Sequence, residues 1–392
     1  MKTFNEKTLY IYKFVGQCLP IYAFYPILFL DRGNTVSQVA ILIALWSVFS
    51  IVFEIPAGIL ADKWNRRNML AIAAILQGIC FVIWFFSHAF FMFALGFFFW
   101  AIAGAFTSGT EEGLIYDNLK SDGREDSFTK VYGKAQFFAT IGTIVGIGSA
   151  GLIAIFISIE AIALISAMIC FVNVVFALRI RERNFYLEQE YEKPVGIFET
   201  FKTSVSFIKS SSTALAAILF LVLFGIGPYM DEFDALIAND WDISALWVSG
   251  ILLVRFAFVA LGDILAPIVE KKIKSVRRIV LLNTFACALL VLFALVWNWH
   301  AILLFGISFM LMAITQILLV NVLQNEIKEE GRATVMSFFG VGQNIAMICL
   351  SLILAALTGI FTLQQVYVII AVYGVAGGLV FWLFSKFVGG KA

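Results

Sequence analysis

The chain has 392 residues, of which 61% are hydrophobic and 14% charged, and a mean hydropathy of +0.96. Soluble domains carry about 25% charged residues, so a soluble enzyme is excluded. With 27 basic and 26 acidic residues the formal charge is +1, and the basic residues flank apolar stretches rather than forming one tract, so no nucleic acid partner is expected.

Breaking the sequence at its polar punctuation gives twelve apolar segments, at 9–30, 38–61, 69–87, 89–117, 129–157, 161–180, 210–238, 243–270, 279–298, 301–325, 333–360 and 364–388. Each approaches or exceeds the roughly 20 residues that cross a bilayer as a helix. The first is too long for a signal-peptide core and lacks a small-residue cleavage site, so it is expected to remain a helix. Their continuous apolar character excludes a β-barrel, whose strands alternate. The expected fold is an all-α integral membrane protein with twelve transmembrane helices and the lipid bilayer as its surroundings.

Alternate connections differ sharply in basic residues. One side carries 24 of the 27, the other only Arg32, and Lys13 and Arg255 fall inside spans. The positive-inside rule then places both termini in the cytoplasm, in a cell (inner) membrane. The longest polar stretch, RERNFYLEQEYEKP from Arg181, falls between spans six and seven and is expected to be a cytoplasmic linker at 181–209. It would join an N-terminal six-helix bundle at 1–180 to a C-terminal one at 210–392.

An offset of 208 superposes Pro20 on Pro228, Asp62 on Glu270, Arg66 on Lys274, Lys120 on Lys328, Gly123 on Gly331 and Arg124 on Arg332. Six such matches without a gap predict two parallel six-helix repeats, an arrangement in which a transport site lies near the bilayer midplane between bundles. The five cysteines are scattered singly through apolar segments and the two histidines sit where segments end, so no disulfide framework, metal site or histidine chemistry is indicated. No phosphate-binding glycine loop occurs either, and no cofactor is expected.

The stretch GILADKWNRRN at 58–68 closely resembles the signature loop of the major facilitator superfamily. Gly58, Leu60, Ala61, Asp62, Lys63, Arg66 and Arg67 match, while Asn65 replaces the usual glycine. A degenerate second copy carries Glu270, Lys274, Arg277 and Arg278. EIPAG before the loop and EEGLIYD at 111–117 resemble a bacterial subgroup of efflux or uncharacterised carriers. The resemblance implies alternating access, with Gly58, Asp62, Lys63, Arg66, Arg67, Asp117, Glu270 and Lys274 in gating rather than substrate contact. Physically, Gly58 would let helices approach closely, and Arg66 could pair with Asp62, four residues away, or with Asp117. The sequence departs from the drug/proton antiporters, with no proline in GTIVGIGSAG at 142–151 and Trp100 where many members carry an intramembrane arginine.

Ionisable residues at bilayer depth cost at least ~2.5 kcal/mol each on insertion scales and mark candidate sites. They are Lys13, Glu54, Glu111, Glu112, Asp231, Glu232, Asp234, Arg255 and Asp263, an excess of acids that suits proton exchange or a cationic cargo. Glu54 lies about 12 Å from Asp62 at 1.5 Å per residue, close to the midplane, and is read either as a protonation or ammonium site or as a packing hydrogen bond. Glu111 and Glu112 diverge by about 100° on a helix. They are read as a coupling acid with a packing partner, or as members of a latch with Lys120 or Lys134. Asp231, Glu232 and Asp234 follow Gly225, Gly227 and Pro228, and line an outer gate if the helix continues or an exposed loop if it ends early. Arg255 needs a carboxylate from another helix, and Lys13 can snorkel. Trp46, Trp84, Trp241, Trp247, Trp297 and Trp299 include expected interface anchors.

These readings converge on a non-enzymatic secondary transporter, expected as a monomer, that couples protons to efflux of cationic or amphipathic small molecules. The alternative is an importer or facilitator of a polar metabolite, favoured by positive charge in the cavity beyond Arg255. A channel or receptor would call for a pore-like selectivity sequence or a large extramembrane domain, and neither is evident.

Overall fold

The computed structural model describes residues 4–108, 110–182, 212–241, 243–273, 275–326 and 332–388. All regular structure among them is helical, with no strand, as expected where lipid leaves backbone groups no outside partner. The chain divides into two compact units, Met1–Glu192 with Asp242–Gly250, and Lys193–Trp241 with Ile251–Ala392. The linker expected at 181–209 lies, from residue 183 onward, outside the described residues.

In the first unit the helices are α1 (Glu6–Gln17), α2 (Ile21–Asp31), α3 (Val36–Lys63), α4 (Arg66–Phe86), α5 (Phe90–Thr107), α6 (Thr110–Ser121), α7 (Phe128–Phe156) and α8 (Ile159–Arg179). Local chemistry sets their ends. Thr35 and Gln38 form a reciprocal capping box at the start of α3, Ser158 caps α8 through Ala161 N–H, and Gly123 takes the left-handed conformation after α6. Helix α4 packs on α5 and α8, α3 on α5, and α1 on α7 and α8.

The first apolar segment is two helices, broken at Cys18–Pro20. Glycines of α7 press against that break. A Cβ on Gly142 would collide with the Phe14 carbonyl oxygen, and one on Gly146 would stand 2.7 Å from Leu19 N. The glycine run thus packs closely as small residues do, at both positions.

The second unit holds α9 (Ser212–Phe224), α10 (Gly227–Met230), α11 (Asp234–Asp240), α12 (Ala245–Glu270), α13 (Val276–Val296), α14 (Ile302–Glu326), α15 (Arg332–Thr358) and α16 (Leu363–Val388). The expected seventh span, 210–238, is not one helix. It breaks at Gly225–Ile226, and a 3-10 turn at Asp231–Phe233 separates α10 from α11. The described residues consequently contain eleven helical stretches long and apolar enough to cross a membrane, against the twelve expected. Cys18 and Ile226, at the two breaks, stand 208 residues apart, the repeat offset of the sequence.

The core of the first unit is aromatic. Trp84, Tyr25, Phe29, Phe93 and Phe97 are fully buried or nearly so, with edge-on ring contacts such as Phe29 on Trp84 at 4.9 Å between centroids. Trp84 is a core residue and not an interface anchor, because its indole N–H donates to the Phe93 carbonyl at 3.2 Å. Outward faces carry exposed Phe86, Phe91, Phe156 and Ile264, the inverse of a water-soluble surface and suited to lipid. Cys80, Cys170 and Cys287 are buried, whereas Cys18 is half-buried and Cys349 exposed.

Candidate functional site

The break between α1 and α2 leaves a cavity of about 320 Å³ in the first unit, lined from α1, α2, α4, α5, α6 and α8. Its polar wall comprises Tyr12, Lys13, Gln17, Tyr22, Gln77, Glu111, Glu112 and Asn173, with Trp100 as its large aromatic face. Lys13 Nζ donates to Glu111 Oε2 at 2.5 Å, and both side chains are more than nine-tenths buried. Two charges removed from water persist together only because each compensates the other. Lys13 thus does not snorkel, contrary to expectation.

The adjacent glutamates serve different helices. Glu112 accepts from the Tyr132 hydroxyl of α7 at 2.9 Å, as their divergence around α6 requires. Among the described residues Glu111 and Glu112 form no ion pair with Lys120 or Lys134. Those ammonium groups lie over the rings of Tyr116, at 6.0 Å, and Tyr10, at 5.1 Å.

The same seven-residue motif also reaches the loop at 58–68. Arg66 Nη1 donates to Asp117 Oδ2 at 2.5 Å, the second of the two pairings expected for it. Gly113 makes room, since a Cβ there would collide with the Arg66 guanidinium. EEGLIYD therefore supplies a cavity carboxylate, a tyrosine acceptor, a gap for arginine and the arginine's partner within two helical turns.

Glu182 was not singled out in the sequence, where it falls in the linker. Its carboxylate accepts from Arg66 N–H at 2.7 Å and Arg67 N–H at 3.0 Å. Asn65 makes no side-chain cap, and Glu182 supplies the anion that the helix N-terminus favours. A glutamate two residues beyond an apolar segment was the available signal.

In the second unit Arg255 finds its carboxylate on another helix, as expected. Arg255 Nε lies 2.9 Å from Asp234 Oδ2, and the Asp234 side chain is fully buried. The Arg255 guanidinium also reaches the Gly227 carbonyl oxygen at 3.4 Å and lies 4.5 Å from the Phe309 ring centroid. Tyr367 Oη is 3.5 Å from Asp234 Oδ1. These contacts hold α10 and α11 on either side of the 3-10 turn.

The remaining candidates are not gathered here. Glu54 is exposed and accepts from the Ser108 hydroxyl at 2.9 Å, which is the packing bond of its two readings. Asp231 is exposed and Glu232 half-buried in the 3-10 turn, whereas the Asp234 side chain is fully buried. Asp263 is exposed and forms no ion pair among the described residues. Among the described residues nothing lies within 4 Å of a Cβ built on Gly58. Glu270 ends α12, half-buried. The side chains of Asp62 and Lys63, and the whole of Lys274, Lys328 and Gly331, lie outside the described residues.

Comparison with known proteins places this arrangement. Residues 14–348 match the Major Facilitator Superfamily. An uncharacterized MFS-type transporter, YfkF of Bacillus subtilis (strain 168), is 39% identical over 59 residues, a stretch that is 15% of either chain. The crystal structure of the nucleoside transporter NupG superposes with a TM-score of 0.80 at 16% identity, covering 97% of this chain and 99% of that one. A D-xylose-proton symporter gives 0.73 at 13% identity over 99% and 98%. A bacterial homolog of the human lysosomal transporter Spinster, inward-facing and occupied, gives 0.76 at 13% over 98% and 96%. At such identities the likeness concerns the fold alone. Taken with the family match across most of its length, these findings identify the chain as a multi-pass membrane transporter, not an enzyme, belonging to the major facilitator superfamily.

Proposed function

We propose that the chain is a proton-linked secondary transporter of a small polar solute, working by alternating access, with its solute site in the cavity of the first unit. Twelve spans in two six-helix bundles, 1–180 and 210–392, would place both termini in the cytoplasm, in the cell membrane and as a monomer. The lopsided basic residues and the paired helix breaks support that layout. The Arg66–Asp117 pair with Glu182 would latch the cytoplasmic loop in one state and release it in the other, with Asp62, Lys63, Glu270 and Lys274 as the remaining gating charges.

The observation that carries the proton linkage is the buried Lys13–Glu111 pair on the cavity wall. A proton on Glu111 leaves the Lys13 ammonium uncompensated, which costs several kcal/mol while the site is dry. The population then shifts to a state in which Lys13 is hydrated or meets the solute. Lys13 is a basic group beyond Arg255, as the polar-metabolite reading requires, and at rest it is matched by Glu111. Efflux of a cationic or amphipathic compound keeps one supporting observation, the Glu112 carboxylate in the same cavity as the Tyr22 and Trp100 rings with a tyrosine hydroxyl as its partner.

The test is purified protein in proteoliposomes carrying a lumenal pH dye, under an imposed proton gradient, challenged with cationic, neutral and anionic compounds. Proton movement on adding a neutral or zwitterionic solute is the expected result. A response confined to cations favours efflux of a cation, and solute flux without proton movement removes the proton linkage.

A further inference from the structure

Three side chains on the cavity wall of the first unit offer acceptor oxygens. Asn173 is only 4% exposed, and its Oδ1 is buried without a hydrogen-bond partner. An amide left so costs free energy unless something else completes it. Its position is made by Gly16, where a Cβ would stand 2.6 Å from Asn173 Nδ2. Gln77 donates from Nε2 to Tyr22 Oη at 3.0 Å, an orientation that turns its Oε1 into a free acceptor. Glu112, bound by one tyrosine hydroxyl on Oε1, offers its other oxygen.

Beside these acceptors stands an aromatic plate. Tyr22 and Trp100 stack at 5.5 Å between centroids and 18° between planes. Trp100 also meets Phe81, Trp84 and Phe97 edge-on or face-on, so its plane is fixed. The basic group of the wall, Lys13, is already matched by Glu111. A volume of about 320 Å³ is at the small end of the roughly 300–1,000 Å³ of ligand sites.

Resting on the transport reading above, we infer that this cavity binds an uncharged compound that combines a flat ring with several O–H or N–H donors. The ring lies against Trp100 and Tyr22, while the donors complete Asn173, Gln77 and Glu112. A lipophilic cation would leave the Asn173 oxygen unsatisfied. A cyclic polyol without a flat ring would satisfy the acceptors and leave the plate unused.

The experiment titrates the purified full-length protein in detergent with three probes by calorimetry. Uridine has the flat ring and the donors, myo-inositol the donors without the ring, and tetraphenylphosphonium aromatic rings and charge without donors. Uridine is expected to bind at least about tenfold tighter than either of the others. Asn173→Leu and Trp100→Leu are each expected to weaken it about tenfold, a single lost interaction of that class. Gln77→Leu, at a half-buried position, carries the same expectation and serves if Asn173→Leu does not fold. Absence of uridine binding, equal or tighter binding of either other probe, or wild-type affinity in the folded Gln77 and Trp100 variants overturns the inference. Tetraphenylphosphonium that binds tightly and moves protons in liposomes would overturn it while leaving the transport reading in place.

Discussion

Lys13 Nζ stands 2.5 Å from Glu111 Oε2 although 98 residues separate them and both side chains are buried. Removing one member strands a buried charge and costs about 3–5 kcal/mol, whereas removing both costs far less. Lys13→Met alone should therefore lower the unfolding midpoint strongly in a detergent melt, and Lys13→Met with Glu111→Gln should recover most of the loss. Additive losses would mean that the pair is not the stabilising unit.

Gly113 is the residue that lets Arg66 reach Asp117. Gly113→Ala should displace the guanidinium and cost about 1–3 kcal/mol, the usual worth of a hydrogen bond to a charged group. Asp117→Asn should cost a similar amount. The double variant should lose little more than either, a non-additivity readable in a double-mutant melt. Full additivity would show that Gly113 serves some other packing.

Glu182 holds the first two amides of α4. Glu182→Ala should cost about 1 kcal/mol, as for loss of an N-cap, and the loss should shrink at high salt. Proteolysis near the loop at 58–68 should accelerate in step. An unchanged melt and cleavage rate would place the loop's anchor in Arg66–Asp117 alone.

How much was legible in the sequence depends on range. The spans were visible because apolar length is a local property, and the loop at 58–68 because its pattern is contiguous. EEGLIYD was recognisable as a motif, yet its four separate tasks were not, since each partner comes from a different helix. Lys13 looked able to snorkel because only the fold sets Glu111 beside it. Asn173 and Gln77 went unnoticed because the search for polar groups at bilayer depth was confined to ionisable ones. Trp84 looked like an anchor because it stands near a segment end, where aromatic belts form, but its indole is enclosed by Tyr25, Phe29 and Phe97. Gly225, Gly227 and Pro228 hinted at a break in the seventh span, but mean hydropathy does not register where it falls.

Arg255 ties α10 to α11 across the 3-10 turn through the Gly227 carbonyl and Asp234. Arg255→Leu leaves a fully buried carboxylate and should cost about 3–5 kcal/mol. Arg255→Leu with Asp234→Asn should regain much of it. Arg255→Lys should not substitute fully, because a lysine lacks the fork that meets both oxygens. A wild-type melt for Arg255→Leu would mean that the buried pair is dispensable to this unit.

The proton linkage through Glu111 is tested most directly by Glu111→Gln, which keeps the side chain's shape but not its titration. Wild-type and variant proteins in liposomes are compared for solute counterflow without a gradient and for accumulation driven by a proton gradient. Counterflow is expected to persist in the variant while proton-driven accumulation disappears. Accumulation equal to wild type in Glu111→Gln would contradict the assignment and move the proton site elsewhere.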